Sequence, residues 1–243
     1  MTQAFSSTAM VLAAGFGMRM RPLTLTTPKP LQIIGGRTML DHALDKLIKI
    51  GVKRVVINTF YLAEQIEAHV KSRRDIEIVI SREEELLDTG GGIAKALPYF
   101  EGLPFFCLNA DLPWLDGDTS SLTHMREAWK PEIMDALLLV MRTEKARGFP
   151  STGDYAMEND GRLKRKNVPT PRPFVMISAQ ILKPDLFARP PAKVFSNNVI
   201  WDAAEARQRL YGIEHNGTCY HVGTPDDLRI ANELLASGKG WGV

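Results

Sequence analysis

Between residues 9 and 108, short apolar runs alternate with segments in which apolar residues recur at helical spacing. The runs are predicted to be buried strands, and the amphipathic segments are predicted to be helices. Because a parallel strand is reached only through a crossover connection, this alternation predicts a doubly wound, mostly parallel α/β sheet. The predicted strands cover residues 9–13, 55–58, 76–80 and 105–108, and the predicted helices cover residues 39–50, 62–70 and 93–97.

After the apolar run at 136–141 the regular alternation gives way to a different pattern. The triplet Asn159-Asp160-Gly161 is a hairpin turn signal, so two short strands are expected at 154–157 and 162–166. No internal repeat divides the chain, and its 243 residues fit one large α/β domain. Further strands are predicted at 136–141 and 174–177, and further helices at 200–210 and 225–235.

The first predicted strand ends in a glycine loop, Gly15-Phe16-Gly17, that gains a positive charge at Arg19. Bare backbone N–H groups and a fixed cation at the end of a buried strand are suited to binding phosphate. The spacing excludes two common glycine loops. A dinucleotide fingerprint would need a third glycine where this chain has Met20, and the Gly-Lys-Ser/Thr of a P-loop is absent.

A lysine held between two prolines, Pro28-Lys29-Pro30, follows ten residues after Arg19. Prolines restrict the backbone on both sides, so the Lys29 ammonium would be a well-placed point charge. The planar guanidinium of Arg19 can hold phosphate oxygens through two parallel hydrogen bonds. Together the loop and the two cations predict a site for a phosphate-rich ligand.

Five segments of the chain form a characteristic set. They are Leu12-Ala13-Ala14-Gly15-Phe16-Gly17-Met18-Arg19-Met20, Pro28-Lys29-Pro30-Leu31, Asp88-Thr89-Gly90-Gly91-Gly92, Leu108-Asn109-Ala110-Asp111 and His221-Val222-Gly223-Thr224-Pro225. This set resembles the signature of the sugar-1-phosphate nucleotidylyltransferases, which join a nucleoside triphosphate to a sugar 1-phosphate and release pyrophosphate. The chain is most similar to the N-acetylmuramate-1-phosphate uridylyltransferases of bacterial cell-wall recycling, with the mannose-1-phosphate guanylyltransferases as the alternative. The resemblance implies UTP and N-acetylmuramate 1-phosphate as partners and Mg²⁺ as cofactor, with Mn²⁺ as the alternative.

The resemblance also implies a fold and a set of site residues. The fold would be a Rossmann-like sheet of the nucleotide-diphospho-sugar transferase type with a small β-containing, sugar-binding insertion. A single domain, 1–243, would have a nucleotide-binding half at 1–115 and a sugar-binding half at 116–243. The implied nucleotide-binding residues are Leu12, Ala13, Ala14, Gly15, Gly17, Met18, Thr89 and Gly90, and the implied sugar-binding residues are Asn109, Gly153, Asp154 and Asn197. The implied catalytic residues are Arg19, Lys29 and Asp111, and the implied metal ligands are Asp111 and His221.

The chemistry of such a transfer agrees with these residue types. The sugar phosphate oxygen is already a nucleophile, so the protein must align the reactants and offset the charge on the leaving pyrophosphate. Asp111 lies just beyond an apolar strand end and is the candidate ligand for a metal ion. Its alternative role is to cap the segment after the strand.

Two positions depart from the family pattern. Met18 stands where a threonine or another polar residue is usual, and this position can still offer its backbone. His221 stands where the family commonly has an aspartate that is the second Mg²⁺ ligand, and imidazole suits softer metals better. Three roles stay open for His221: direct metal ligation, ligation through water, or hydrogen-bond donation to phosphate.

The glycine run after Thr89 resembles the family segment that holds the base and ribose. Without side chains at Gly90 and Gly91, a flat base could stack close to the backbone. The alternative is that these glycines form a plain loop at the entry to a helix.

Composition excludes several other classes. The net charge of +2 argues neither for nor against nucleic-acid binding. The isolated basic run 162–166 is interpreted as a solvated hairpin arm rather than a nucleic-acid surface. Cys107 and Cys219 lie in apolar strand-like settings, which is typical of reduced thiols in a cytoplasmic protein. Neither a signal peptide nor a membrane span is predicted. A nucleotide-sensing protein without catalysis remains an alternative, whereas Met20 disfavours a dinucleotide oxidoreductase.

Overall fold

A seven-stranded sheet forms the centre of the chain in a computed structural model that describes residues 4–238 and 240–241. The strands lie in the order β7-β5-β6-β4-β1-β2-β3. Among the seven described strands of this sheet, only β6 runs antiparallel to its neighbours, so the predicted doubly wound, mostly parallel sheet is confirmed. The strands are β1 (Thr8–Leu12), β2 (Arg54–Thr59), β3 (Glu77–Arg82), β4 (Phe105–Asn109), β5 (Ala136–Arg142), β6 (Phe174–Leu182) and β7 (Leu210–Glu214).

Helices and short pairings surround this sheet. The α-helices are α1 (Met39–Lys49), α2 (Ala63–Val70), α3 (Asp88–Ala96), α4 (Ser121–Ala128), α5 (Asn198–Ala206) and α6 (Pro225–Ala236). Single 3₁₀ turns cover Met18–Met20, Leu23–Leu25, Lys29–Leu31, Leu97–Phe100, Thr143–Lys145 and Pro184–Phe187. Two-residue strands pair Ile33–Ile34 with Arg37–Thr38, Trp114–Leu115 with Thr218–Cys219, and Ala156–Met157 with Leu163–Lys164.

Both faces of the sheet are covered because successive side chains of each strand point to opposite faces. In β1, Val11 packs in one hydrophobic layer and Met10 in the other. Helix α1 contributes Leu44 to the first layer, and α3 contributes Ile93 to the second. Strands buried on both faces read as continuous apolar runs, which is why the sequence pattern predicted them.

Three predicted elements differ from the structure. Helix α3 begins at Asp88 and contains the three glycines, which the sequence pattern placed in a loop before the helix. The segment predicted as one helix at 200–210 divides instead into α5 and β7, because Gln208 adopts a left-handed φ of 57° and Leu210 then pairs with β5. Strand β6 continues past the predicted 174–177 through a bulge after Met176.

The order of the strands reverses beside β1. The chain builds β2 and β3 on one side of β1 and then returns to place β4 on the other side. In doubly wound sheets a crevice opens beyond the carboxyl ends of the strands at such a reversal. This reversal brings the segments after Leu12 and Asn109, 97 residues apart in sequence, to one edge of the sheet.

Crowding around the helical glycines generates a stability prediction. A Cβ atom at Gly90 would lie 2.4 Å from the ring of Phe195, so Gly90→Ala must displace that ring. We expect a loss of about 1–3 kcal/mol in the free energy of unfolding, measured by urea denaturation. The loss should shrink in a Phe195→Leu background, where the ring is absent, and an equal loss in both backgrounds would contradict this packing.

Candidate active site

A cleft of about 390 Å³ lies at the strand reversal. It is bounded by the ends of β1 and β4, the glycine loop, the Lys29–Leu31 turn and the start of α3. Most of the site residues predicted in the first half of the chain therefore lie together. The lining residues are Leu12, Ala13, Ala14, Gly15, Gly17, Met18, Arg19, Met20, Lys29, Pro30, Asn58, Leu86, Asp88, Thr89, Asn109, Asp111 and Gly223.

The glycine loop turns sharply at Gly17, whose φ of 61° is left-handed. A Cβ atom there would lie 3.0 Å from Thr24 and 3.1 Å from Lys29, so both the dihedral angle and the space require glycine. The Thr24 hydroxyl donates to the Gly17 carbonyl at 2.9 Å, which fixes the loop against the next turn. The position of Gly15 is open, because no heavy atom lies within 4 Å of where its Cβ would be.

An ion pair joins the two sides of the cleft. Lys29 Nζ donates to Asp111 Oδ2 at 2.8 Å, with 8% of the lysine side chain and 41% of the aspartate side chain exposed. Burial by itself would raise the pKa of Asp111, but the Lys29 ammonium outweighs it and holds the pKa below its usual range. Asp111 is therefore a carboxylate at neutral pH, aimed into the cleft beside a fixed cation.

His221 joins this group from the far end of the sequence. Its Nδ1 lies 3.0 Å from the carbonyl oxygen of Gly148, and its Nε2 lies 3.5 Å from Arg19. The ring of Phe149 packs against the imidazole with centroids 4.9 Å apart. Burial lowers the pKa of His221, and the nearby Lys29 and Arg19 charges lower it further, so the ring is neutral at pH 7.

The contacts of His221 also determine its tautomer. A carbonyl oxygen can only accept a hydrogen bond, so Nδ1 of the neutral ring carries the proton and Nε2 keeps its lone pair. A lone pair can accept a hydrogen bond from Arg19 or bind a metal ion, whereas it cannot donate to phosphate. The geometry thus favours the two ligand roles over the donor role.

The segment that carries His221 is anchored by the start of α6. Asp227 Oδ2 accepts hydrogen bonds from the backbone N–H groups of Gly223 and Thr224, and the Thr224 hydroxyl accepts one from the backbone of Asp227. Thr224 and Asp227 thus form a capping box, which fixes where α6 begins and where the loop that carries His221 ends. A Cβ atom at Gly223 would lie 3.2 Å from Arg19, so glycine leaves room for the guanidinium.

A chain of buried hydrogen bonds, which the sequence analysis did not predict, supports the wall of the cleft. The Ala13 N–H donates to Asn58 Oδ1 at 2.8 Å, and Asn58 Nδ2 donates to Glu83 Oε1 at 2.8 Å. The other oxygen of Glu83 accepts from the Leu87 N–H at 2.9 Å, at the start of α3. The polar Asn58 at the end of an apolar strand was a usable signal, but nothing local distinguishes Glu83 from its neighbours Glu84 and Glu85.

Five predicted residues lie outside the lining of the cleft: His221, which adjoins Arg19, and Gly90, Gly153, Asp154 and Asn197. Gly90 lies inside α3, where its lack of a side chain makes room for the ring of Phe195. Gly153 forms a left-handed turn against Arg172, and Asp154 accepts a hydrogen bond from the Met176 N–H. Asn197 is 2% exposed and reaches the cleft only through its N–H, which donates to Thr89 Oγ1 at 2.8 Å.

Two negative findings apply to the part of the chain that the structure describes. Within residues 4–238 and 240–241, no three His, Cys, Asp or Glu side chains come together as metal ligands. No helix in the same residues is both long enough and apolar enough to cross a membrane. Both cysteines are free and buried, as predicted, and burial raises the pKa of the Cys107 thiol to about 12.

Sequence comparisons relate this chain to enzymes of known activity. Residues 9–197 match the family described as the MobA-like NTP transferase domain. An N-acetylmuramate α-1-phosphate uridylyltransferase of Caulobacter vibrioides is 37% identical, over 94% of this chain and 96% of its own length. A protein of the same name from Neisseria meningitidis is 34% identical, over 95% and 99%. The catalytic subunit beta of a mannose-1-phosphate guanylyltransferase of Drosophila pseudoobscura is 31% identical over 90% of this chain, which spans 60% of that protein.

Solved structures agree on the fold. A UDP-glucose pyrophosphorylase complexed with UDP-glucose superimposes with a TM-score of 0.79 at 18% identity, over 97% of this chain and 100% of the other. A glucose-1-phosphate thymidylyltransferase from Bacillus anthracis gives a TM-score of 0.78 at 18% identity, over 93% and 94%. The fold predicted from the sequence, that of the nucleotide-diphospho-sugar transferases, is confirmed.

The ion pair predicts how Asp111 responds to loss of its partner. Lys29→Met removes the ammonium but keeps the burial, so the pKa of Asp111 should rise, as measured by carboxyl ¹³C NMR. The depressed pKa stabilises the folded chain above the unfolded pKa of about 3.9, and this contribution is lost as the pH falls through the folded pKa. Lys29→Met should remove that part of the acid sensitivity. Lys46→Met, which breaks the separate pair with Asp116, should leave the pKa of Asp111 unchanged.

Proposed function

Because this chain belongs to the sugar-1-phosphate nucleotidylyltransferases of the MobA-like NTP transferase family, we propose that it joins UTP to N-acetylmuramate 1-phosphate and releases pyrophosphate. One observation carries the proposal beyond the family. The Lys29–Asp111 pair lies in the same cleft as the glycine loop and Arg19, and His221 adjoins Arg19. A phosphate-rich ligand and a divalent cation need this combination of bare backbone, fixed cations and a carboxylate.

The proposed reaction needs no covalent participation by the protein. An oxygen of the sugar phosphate forms a bond to the α-phosphorus of UTP. The bond from that phosphorus to the bridging oxygen breaks, and its electron pair leaves with pyrophosphate. The glycine loop would hold the triphosphate through backbone N–H groups, and Arg19 would bind its outer oxygens. Lys29 would offset the charge that builds up around the α-phosphorus as the bonds exchange.

Asp111 and His221 are the proposed protein ligands of a metal ion. The donor set fits such an ion: one carboxylate that is ionised, and one neutral imidazole whose Nε2 lone pair is free of a proton. Mg²⁺ usually takes one or two carboxylates and completes its shell with substrate phosphates and water, and Mn²⁺ accepts imidazole more readily. When bound, the ion would supply positive charge to the phosphate oxygens.

The base and the sugar are proposed from the relatives. Two relatives that match nearly end to end are named as N-acetylmuramate α-1-phosphate uridylyltransferases, which favours UTP and N-acetylmuramate 1-phosphate. A mannose-1-phosphate guanylyltransferase activity is the second candidate, since the relative of that name is 31% identical. Arg19, Lys29 and Asp111 in one cleft argue against a protein that senses nucleotide without catalysis. Reaction in the cytoplasm stays a prediction.

Pyrophosphate release tests the proposal directly. The chain is assayed with UTP, GTP, ATP, CTP and dTTP against the 1-phosphates of N-acetylmuramate, N-acetylglucosamine, glucose and mannose, with Mg²⁺ and with Mn²⁺. We expect the strongest release from UTP with N-acetylmuramate 1-phosphate, and a drop of roughly 100- to 1,000-fold in turnover for Lys29→Met. Strongest release from GTP with mannose 1-phosphate would establish the second candidate. Nucleotide binding without release from any pair would contradict both.

The metal dependence tests the role of His221. His221→Asp replaces a nitrogen ligand by an oxygen ligand, so turnover should rise at limiting Mg²⁺ and the relative advantage of Mn²⁺ should fall. The measurement is the rate as a function of each metal concentration. His124→Asp, at an exposed position on α4, is the matched control and should change neither curve. A large loss with both metals would show that the imidazole has a role that oxygen cannot replace.

A further inference from the structure

The two glycines of the glycine loop leave its backbone free to adopt many conformations. Gly15 also occupies an open position. A loop that binds phosphate through its backbone N–H groups loses affinity if it must first be ordered, because the ordering costs free energy when the ligand binds. The affinity of this loop for phosphate therefore depends on contacts that hold it in one conformation before the ligand arrives.

Tyr61, which follows β2, contacts the glycine loop and the turn after it at three points. Its backbone N–H donates to the carbonyl oxygen of Ala14, the residue before the loop, at 3.4 Å. Its ring lies against the ring of Phe16, with centroids 5.3 Å apart and an interplanar angle of 54°. Its hydroxyl donates to the carbonyl oxygen of Thr24, in the turn after the loop, at 2.8 Å. Tyr61 thereby connects both ends of the loop and its central residue.

The contacts of Tyr61 continue to the lining of the cleft. Thr24 is fully buried, and its hydroxyl donates to the Gly17 carbonyl at 2.9 Å, so Thr24 links the Tyr61 hydroxyl to the left-handed turn of the loop. Phe60 adds a second aromatic contact to Phe16, with centroids 5.7 Å apart and an interplanar angle of 84°. Aromatic pairs prefer such tilted and edge-on arrangements. Tyr61 lies outside the lining of the cleft, whereas Gly17 belongs to it.

We propose that Tyr61 is a positioning residue, which holds the glycine loop in the conformation that binds the outer phosphates of a nucleoside triphosphate. This proposal rests on the proposed function, in which the loop binds the triphosphate of UTP. Loss of a Tyr61 contact should therefore weaken binding of the phosphate chain and leave binding of the rest of the nucleotide unchanged. A residue that only stabilised the fold would not separate these two effects.

Titration calorimetry of the full chain with Mg²⁺ and three probes, UTP, inorganic tripolyphosphate and UMP, tests the proposal. Tyr61→Phe keeps the ring and the backbone N–H but removes the hydroxyl that donates to Thr24. The affinities for UTP and for tripolyphosphate should fall about three- to tenfold. The affinity for UMP, which lacks the outer phosphates, should stay within about twofold. Tyr99→Phe, the same change at an exposed tyrosine outside the lining of the cleft, should leave all three affinities unchanged.

Phe16→Ala tests the same contact from the side of the loop, because it removes the aromatic pair and keeps the Tyr61 hydroxyl. It should weaken binding of UTP and tripolyphosphate more than binding of UMP. In steady-state assays, the KM for UTP should rise in both variants, whereas the KM for N-acetylmuramate 1-phosphate should not.

Two outcomes for Tyr61→Phe would overturn the proposal. An unchanged affinity for tripolyphosphate would show that the loop does not depend on the hydroxyl. A loss for UMP as large as the loss for UTP would show a general disturbance of the fold. Failure of the unsubstituted chain to bind UTP or tripolyphosphate would instead contradict the proposed function, and this proposal would fall with it.

Discussion

The ion pair between Lys29 and Asp111 joins the two halves of the strand reversal, and the arrangement of the site depends on it. Lys29 belongs to the turns that follow β1, and Asp111 follows β4. Each group alone would be costly to enclose in a cleft wall, because burial disfavours an unpaired charge. Together they place a positive and a negative charge within 2.8 Å, which suits a ligand that brings both phosphate and a cation.

The parts of the fold that follow from local pattern could be predicted from sequence. Residues 9–13 read as a strand because β1 is buried on both faces, and the turn at Gly17 was recognisable because only glycine fits it. The interior of α3 could not be predicted in this way. Three consecutive glycines favour a loop, and the helix forms because Phe195 and its neighbours pack where side chains would be.

The same distinction between local pattern and tertiary packing applies to the residues of the candidate site. Residues on the loops after β1 and β4 were predicted by motif and meet in the cleft, whereas Asp154 and Asn197 depend on the second half of the chain and make contacts outside its lining. The hydrogen bond between Asn58 and Glu83 was not predictable, because the two residues are 25 positions apart and only the tertiary fold brings them together. Asp88 was seen as part of a motif, but its left-handed backbone is visible only in the structure.

His221 and Arg19 are neighbours in space although 202 residues separate them in sequence. A ribosome releases the chain from its N-terminal end, so the glycine loop, Lys29 and Asp111 are all synthesised well before the segment after residue 220. The cleft lacks its imidazole and the Gly223 surface under Arg19 until that segment has emerged. During synthesis, the residues of the strands around the cleft are therefore made before the contact between Arg19 and His221 can form, so the candidate site gains this contact only after the rest of its lining has been made.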